Sequence, residues 1–206
     1  SHPQMDQTVY ARLVQRLGRV HLRQRLSLEP EYEAQVFRRG THFFHLENWF
    51  LAHAVIRASL GLVGLHGRGR RNALKIRIVH NDVRLAALPA AFDGYTILHL
   101  SDLHLDMSED FVQALIERVR QVDYDLCVLT GDYRFRTRGP YQPALAGLAR
   151  LRPHLRDPVY AVLGNHDSIR MVPGMEDLGI QLLFNESVRC ERYGATIHLA
   201  GIDDAH

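Results

Sequence analysis

The sequence has few cysteines, no long apolar run and little net charge. Of its 206 residues only two are cysteine, Cys127 and Cys190. Two cysteines build no disulfide framework, so a reducing compartment is the expected setting. Cys127 lies in the apolar run Leu126-Cys127-Val128-Leu129 and reads as a small buried hydrophobe. No uninterrupted apolar stretch reaches the roughly 20 residues of a membrane-spanning helix. The first residues, Ser-His-Pro-Gln-Met-Asp-Gln, are polar and carry no secretory signal. A net charge of only +2 argues against a nucleic-acid partner for the chain as a whole. No internal repeat or low-complexity tract is present.

The charge that is present is unevenly divided. Residues 1–90 carry 13 Arg and one Lys against six acids, and residues 91–206 carry 11 Arg against 17 acids. A basic front and an acidic back imply separate tasks or mutual docking. Residues 1–72 read as a basic, mainly helical segment, with a helix near Val9–Val20. His42 and His45 read as surface histidines. Over residues 46–66, His53, Arg57, Gly61 and Gly64 recur at helical spacing and leave an apolar face bearing Trp49, Phe50, Val55, Ile56, Leu60 and Val63. That helix either packs on the core or lies on a membrane surface. The stretch Gly67-Arg-Gly-Arg-Arg-Asn72 suits a solvated connector better than a nucleic-acid or anionic-lipid site.

Residues 73–206 read as an α/β domain. Ala73–Leu85 alternates as an edge strand or hairpin arm would. Beyond it the period switches regularly. Strands are expected at Thr96–Leu100, Leu126–Thr130 and Val159–Leu163. Helices are expected near Ser108–Val122, with Asp106 and Glu109 as a capping box, near Pro143–Leu151, and near Pro173–Leu178 closed by Gly179. This β-α-β-α-β-α series implies parallel strands with right-handed crossovers. Val188–Glu191 and Ala195–Ala200 flank Tyr193-Gly194 as a hairpin.

Three short segments follow those strands: Ser101-Asp102-Leu103-His104, Gly131-Asp132 and Gly164-Asn165-His166-Asp167. Parallel strands would deliver their carboxylates, imidazoles and amide to one sheet edge. Phosphate-ester hydrolysis needs that kind of group. Water is a poor nucleophile until a metal lowers its pKa, and two metals about 3.5–4 Å apart stabilise charge on both sides of an in-line displacement. Asp102 and His104, two apart, can face one ion. Asp132, after the next strand, is the natural bridge. Asn165 offers a neutral oxygen to the second ion, leaving positive charge to attract a phosphate. His166 can protonate the leaving oxygen or stabilise charge there. Asp-x-His or Gly-Asp alone is commonplace; their order, spacing and strand context together carry the reading.

These motifs, with Gly201-Ile202-Asp203-Asp204, resemble the calcineurin-like metallophosphoesterase superfamily over roughly residues 75–206, and above all its bacterial branch with a Gly-Ile/Val-Asp-Asp motif. The resemblance implies a four-layer α/β/β/α sandwich and two divalent ions, manganese, iron or zinc. It implies hydrolysis of phosphomonoesters, phosphodiesters or pyrophosphates. It assigns Asp102 and His104 to one metal, Asp132 to both, Asn165 to the other, and His166 to the leaving group. The family pattern continues with further histidine ligands and a Gly-His-x-His segment, which do not follow Asp204. The chain is therefore expected to be the N-terminal part of such an enzyme, with a domain incomplete at its C-terminal end, and its start at Ser1 to reflect processing or excision. His198 and His206 are conceivable substitutes, but the plainer reading puts His198 on a strand face and His206 at a chain end.

Other polar groups take lesser roles. Arg134, rather than Arg136 or Arg138, is expected to clamp a substrate phosphate. Asp167 either orients His166 or caps the next turn. Asp203 and Asp204 either support the metal ligands from behind or are structural, and the structural reading is preferred. The leading expectation is a metal-dependent phosphohydrolase, cytoplasmic or peripheral to the inner membrane, acting on a phosphate ester that the basic, apolar helix suggests is lipid-linked. The alternatives are a non-catalytic metallophosphoesterase-fold binding module or inactive fragment, and a membrane-surface protein working through residues 46–72.

Overall fold

The computed structural model of the chain describes residues 5–27, 72, 74–135 and 139–203. The expectations for His42, His45, the helix over 46–66, the connector up to 71, Arg136, Arg138, Asp204 and His206 fall outside those residues.

Four short strands form one parallel sheet in the order β1-β2-β3-β4. They are β1 (Ile97–Leu100), β2 (Leu126–Thr130), β3 (Val159–Val162) and β4 (Gln181–Leu182). Each pairs in parallel with the next, with Ile97 opposite Leu126 and Cys127 opposite Val159. Three helices connect them: α3 (Glu109–Val119), α4 (Gln142–Leu151) and α5 (Val172–Asp177). An antiparallel hairpin follows, β5 (Glu186–Arg192) with β6 (Ala195–Gly201). Its two-residue turn has Tyr193 at φ 49° and Gly194 at φ 79°, the double positive φ that suits a tight hairpin.

Alternation along the strands supplies both faces. Cys127, Leu129, Val159 and Ala161 point to the helices and meet Val112, Leu115, Leu148 and Met175. Leu126, Val128 and Tyr160 belong to a second cluster, with Leu183, Val188 and Leu199 of the hairpin side. A parallel strand buried on both faces reads as a continuous apolar run, as β2 does. Burial pushes the Cys127 thiol up to about 12, so it stays protonated and packs as an inert hydrophobe.

Two helix ends depart from the sequence reading. Ser108, not Asp106, caps α3: its Oγ accepts from Phe111 N–H at 3.3 Å, and Glu109 and Asp110 in the first turn suit the helix dipole. α4 carries Pro143 in its first turn, as expected, and seats closely because it presents Gly147 to the core. A Cβ there would come within 2.6 Å of Leu105 Cβ. That contact brings α4 against the segment holding His104.

The expected strand at Ala73–Leu85 is not formed among residues 74–85. Alternation gives a segment strand propensity, but a strand also needs a neighbour to take its backbone bonds. None pairs with it among the described residues, and Val79, Val83 and Leu85 are exposed.

The N-terminal helices share the domain core. α1 (Gln7–Leu17) begins at Asp6, whose side chain accepts from Thr8 N–H at 2.7 Å. The helix expected over Val9–Val20 is interrupted at Gly18, φ 77°, and α2 resumes over residues 19–27. Leu13 and Leu22 are wholly buried in the main cluster. Burial of each such leucine contributes about 1.5–3 kcal/mol. Arg16 fastens the contact: it donates to Glu176 at 2.5 Å, to Glu186 at 2.7 and 3.0 Å, and to Leu182 O at 2.6 Å. The basic front and acidic back of the sequence therefore dock on each other here. No helix among the described residues is long and apolar enough to cross a membrane.

Candidate metal centre

Beyond their strand ends, the segments after β1 and β2 stay side by side. Asp102 N–H donates to Gly131 O at 3.2 Å, His104 N–H to Asp132 O at 3.0 Å, and Leu105 N–H to Tyr133 O at 2.8 Å. The backbone is left-handed at Asp102 (φ 53°), His104 (φ 42°) and Asp132 (φ 55°). Few residues other than glycine adopt such angles, Asp, Asn and His being the tolerant ones. Each costs on the order of 1–2 kcal/mol, and their clustering at one sheet edge is the kind of stored strain found at functional sites.

The segment after β3 comes equally close. A Cβ on Gly131 would lie 2.4 Å from Gly164 N, and a Cβ on Gly164 would lie 2.2 Å from Asp132 Oδ1. Two glycines face to face are what let Asp132 reach the third loop. There Asp132 Oδ1 accepts from His166 N–H at 3.1 Å.

The two imidazoles stand together, ring centroids 5.6 Å apart. His104 Nδ1 is 2.7 Å from Arg134 O, and His166 Nδ1 is 2.8 Å from Phe135 O. A carbonyl only accepts, so each Nδ1 carries a proton, and in the neutral ring Nε2 is the nitrogen that keeps its lone pair. Consecutive carbonyls thus fix both tautomers. Metal-ligating histidines are ordinarily oriented this way.

Asp167 builds the loop that carries those carbonyls. It is 6% exposed. Its Oδ2 accepts from Asp132 N–H at 2.7 Å and Gly164 N–H at 2.9 Å, and its Oδ1 from Tyr133 N–H at 2.9 Å and Arg134 N–H at 3.3 Å. Neither expected role, orienting His166 or capping a turn, describes it: Asp167 ties the post-β2 loop to the post-β3 loop. Burial pushes its carboxyl up to about 6 even though the Gly164, Arg134 and Asp132 N–H groups pull it down. The buried Tyr133 hydroxyl, 2.8 Å from Val162 O and 3.1 Å from Leu129 O, adds a cross-tie; burial raises its pKa well above the ordinary value.

The remaining sequence-derived residues are placed as follows. Asp102 is exposed, and the Ser101 hydroxyl donates to its carboxylate. Asn165 is exposed between Gly164 and His166, both against Asp132. Arg134 is 3% exposed and its Nη2 donates to Gly139 O at 2.9 Å, so its carbonyl, not its guanidinium, faces His104. His198 is exposed on β6. Asp203 is structural, as expected: its buried carboxylate meets His21 Nε2 at 2.7 Å and Arg25 Nη2 at 3.6 Å.

The fit to divalent ions can be tested on these donors. Oxygen and imidazole are the right types for manganese, iron or zinc. Two oriented Nε2 atoms and the Asp132 carboxylate stand at one edge. Among the described residues, no three His, Cys, Asp or Glu side chains gather tightly enough to form a ready cage. The donor chemistry and orientation fit; a closed shell does not exist within these residues.

A parallel α/β sheet with Asp, His and Asn-His segments at its strand ends defines the class, and sequence comparison agrees. The chain belongs to the calcineurin-like phosphoesterase family, which it matches over residues 95–203, more than half its length. Members of that family typically use divalent metals. Over 119 residues the chain is 37% identical to YkoQ, an uncharacterized metallophosphoesterase of Bacillus subtilis (strain 168), covering 52% of this chain and 43% of the relative. Over 160 residues it is 29% identical to a Danio rerio protein named a transmembrane protein with metallophosphoesterase domain, covering 73% of this chain and 35% of that protein. The chain thus spans less than half the length of these curated relatives.

Proposed function

We propose that the protein is a metal-dependent phosphohydrolase cleaving a phosphomonoester, phosphodiester or pyrophosphate bond. One observation carries the reading: the His104 and His166 Nδ1–H groups are both held by carbonyls of a single loop, with the two rings 5.6 Å apart, which in the neutral rings leaves two Nε2 lone pairs free to meet a metal. His104, Asp102, Asp132 and Asn165 would hold two divalent ions, manganese, iron or zinc. Such ions supply Lewis acidity to phosphoryl oxygen and to water. His166, with Nδ1–H held by Phe135 O, presents Nε2 to the leaving oxygen and would give it a proton there from the imidazolium form, after taking that proton on Nε2 from solvent. Arg134 shapes the site through its carbonyl, and phosphate binding by its guanidinium would need the side chain to turn from Gly139. The same reading takes the sheet and hairpin as part of a four-layer α/β/β/α sandwich.

The test is hydrolysis of p-nitrophenyl phosphate and bis-p-nitrophenyl phosphate with Mn²⁺, beside Asp132→Asn. Mn²⁺-stimulated turnover that D132N removes is expected. Equal background in both proteins would favour the second reading, a non-catalytic binding module or inactive fragment, which the lack of a ready three-donor cage among the described residues supports.

The reading extends to a lipid-linked phosphate ester and a membrane-surface contact through residues 46–72, with the protein otherwise in the cytoplasm. The apolar, basic sequence there supports it, as does the Danio rerio relative's name. Flotation with anionic liposomes, with and without residues 46–72, decides it; identical flotation ends the idea.

A further inference from the structure

Asp106 lies two residues after His104, in a turn closed by Met107 N–H on His104 O at 3.0 Å. Because Ser108 caps α3, the Asp106 carboxylate has another partner: its Oδ1 accepts the N–H of Phe135 at 2.7 Å. That N–H and the Arg134 carbonyl belong to one peptide unit. The same carbonyl receives His104 Nδ1–H at 2.7 Å. Carboxylate, peptide and imidazole therefore form a single hydrogen-bonded chain. Each bond in such a chain polarises the next. A carboxylate behind one ring nitrogen raises the basicity of the other, the usual support of a metal-binding histidine. Here the carboxylate acts at one remove, through a peptide.

We propose that Asp106 is a positioning residue for His104: through the Arg134–Phe135 peptide it fixes the Nδ1–H tautomer and enriches Nε2 as a donor to a divalent cation. The cation part rests on the phosphohydrolase reading above; the tautomer part rests on hydrogen-bond geometry alone. His166 is an internal control, because it donates to the next carbonyl, Phe135 O, in a different peptide unit.

The experiment uses the full chain, wild type, D106A and D106N. In metal-free protein at mildly alkaline pH, the ¹⁵N shifts of the His104 and His166 rings report their tautomers. Competition with a fluorescent chelator reports Mn²⁺ affinity. D106A is expected to mix the His104 tautomers, leave His166 unchanged, and weaken Mn²⁺ binding by about 10–100-fold. D106N, whose amide oxygen still accepts the Phe135 N–H, should keep the tautomer and lose affinity several-fold. Wild-type His104 signals in D106A overturn the proposal, and so does equal disturbance of both rings. Should D106A not fold, D106N decides, and Mn²⁺ affinity equal to wild type overturns it. A wild-type protein that binds no Mn²⁺ overturns the phosphohydrolase reading instead, and the ring signals then judge Asp106 alone.

Discussion

Two buried aspartates, Asp167 and Asp203, each sit just past a strand end, 6% and 4% exposed, and they are satisfied in opposite ways. Asp167 takes four backbone N–H groups from two adjoining loops and, among the described residues, no cationic side chain. Asp203 takes side chains from the far end of the sequence, His21 and Arg25. The first carboxylate sets the geometry of the candidate metal centre. The second fastens the N-terminal helices to the domain. Backbone donors cannot be mutated away or moved independently, so they suit a site that must hold a fixed shape. Side-chain partners suit an attachment that joins two parts of the chain.

The sharpest way to break this contrast is Asp203→Ala. It leaves Arg25, 6% exposed, without its counter-charge. Removing one member of a buried pair costs about 3–5 kcal/mol. The free energy of urea unfolding should fall by that amount, and amide exchange should rise in α1 and α2 while the His104 and His166 signals hold. A loss under about 1 kcal/mol would mean that the Asp203–Arg25 pair holds the helices no better than a surface ion pair does. Asp203→Asn, which keeps the shape, should cost less.

Gly164→Ala strikes the other region. Its Cβ would sit 2.6 Å from Asp132 N as well as 2.2 Å from Asp132 Oδ1, and the backbone atom cannot swing aside. Displacing a catalytic group by about 1 Å costs roughly 100-fold in rate. Mn²⁺-dependent hydrolysis should fall by that factor, with a smaller change in the urea midpoint than D203A causes. Turnover near wild type would detach the Asp132–Gly164 contact from the chemistry.

The same contrast explains what the sequence disclosed. The three parallel strands, their helices, the hairpin turn and the juxtaposition of Asp132 with His104 and His166 follow from local pattern: alternation, caps, and polar residues just after apolar runs. Asp167 was visible as a residue but not in its role, because nothing local says that an acid will collect N–H groups from a loop 33 to 35 positions upstream. The capping box expected at Asp106 does not form for a similar reason: Ser108 competes for α3, and the carboxylate's partner lies 29 residues away. The Asp203 attachment was foreshadowed only by the opposite charges of front and back. The alternation of Ala73–Leu85 promised a strand, but pairing depends on a neighbouring edge that local sequence does not supply.

The smallest effect tests whether Asp167 is held by its donors as firmly as a cation would hold it. Burial pushes its carboxyl from an ordinary 3.8 up to about 6; the Gly164, Arg134 and Asp132 N–H groups oppose this, and the Asp132 charge adds to it. The folded protein therefore binds this proton more tightly than the unfolded chain does. Stability from that proton is complete below about pH 4 and is lost as pH rises through about 6. A shift of about two units corresponds to about 2–3 kcal/mol. The difference between the urea-unfolding stabilities of chelator-treated wild type and Asp167→Asn, followed across that window, isolates Asp167, since every other titrating group is common to both proteins. Wild type should lose ground to D167N as pH rises. Parallel curves would mean that four N–H donors offset burial in full. Asp167 would then be ionised without penalty, and the two buried acids would differ only in how far along the chain their partners lie.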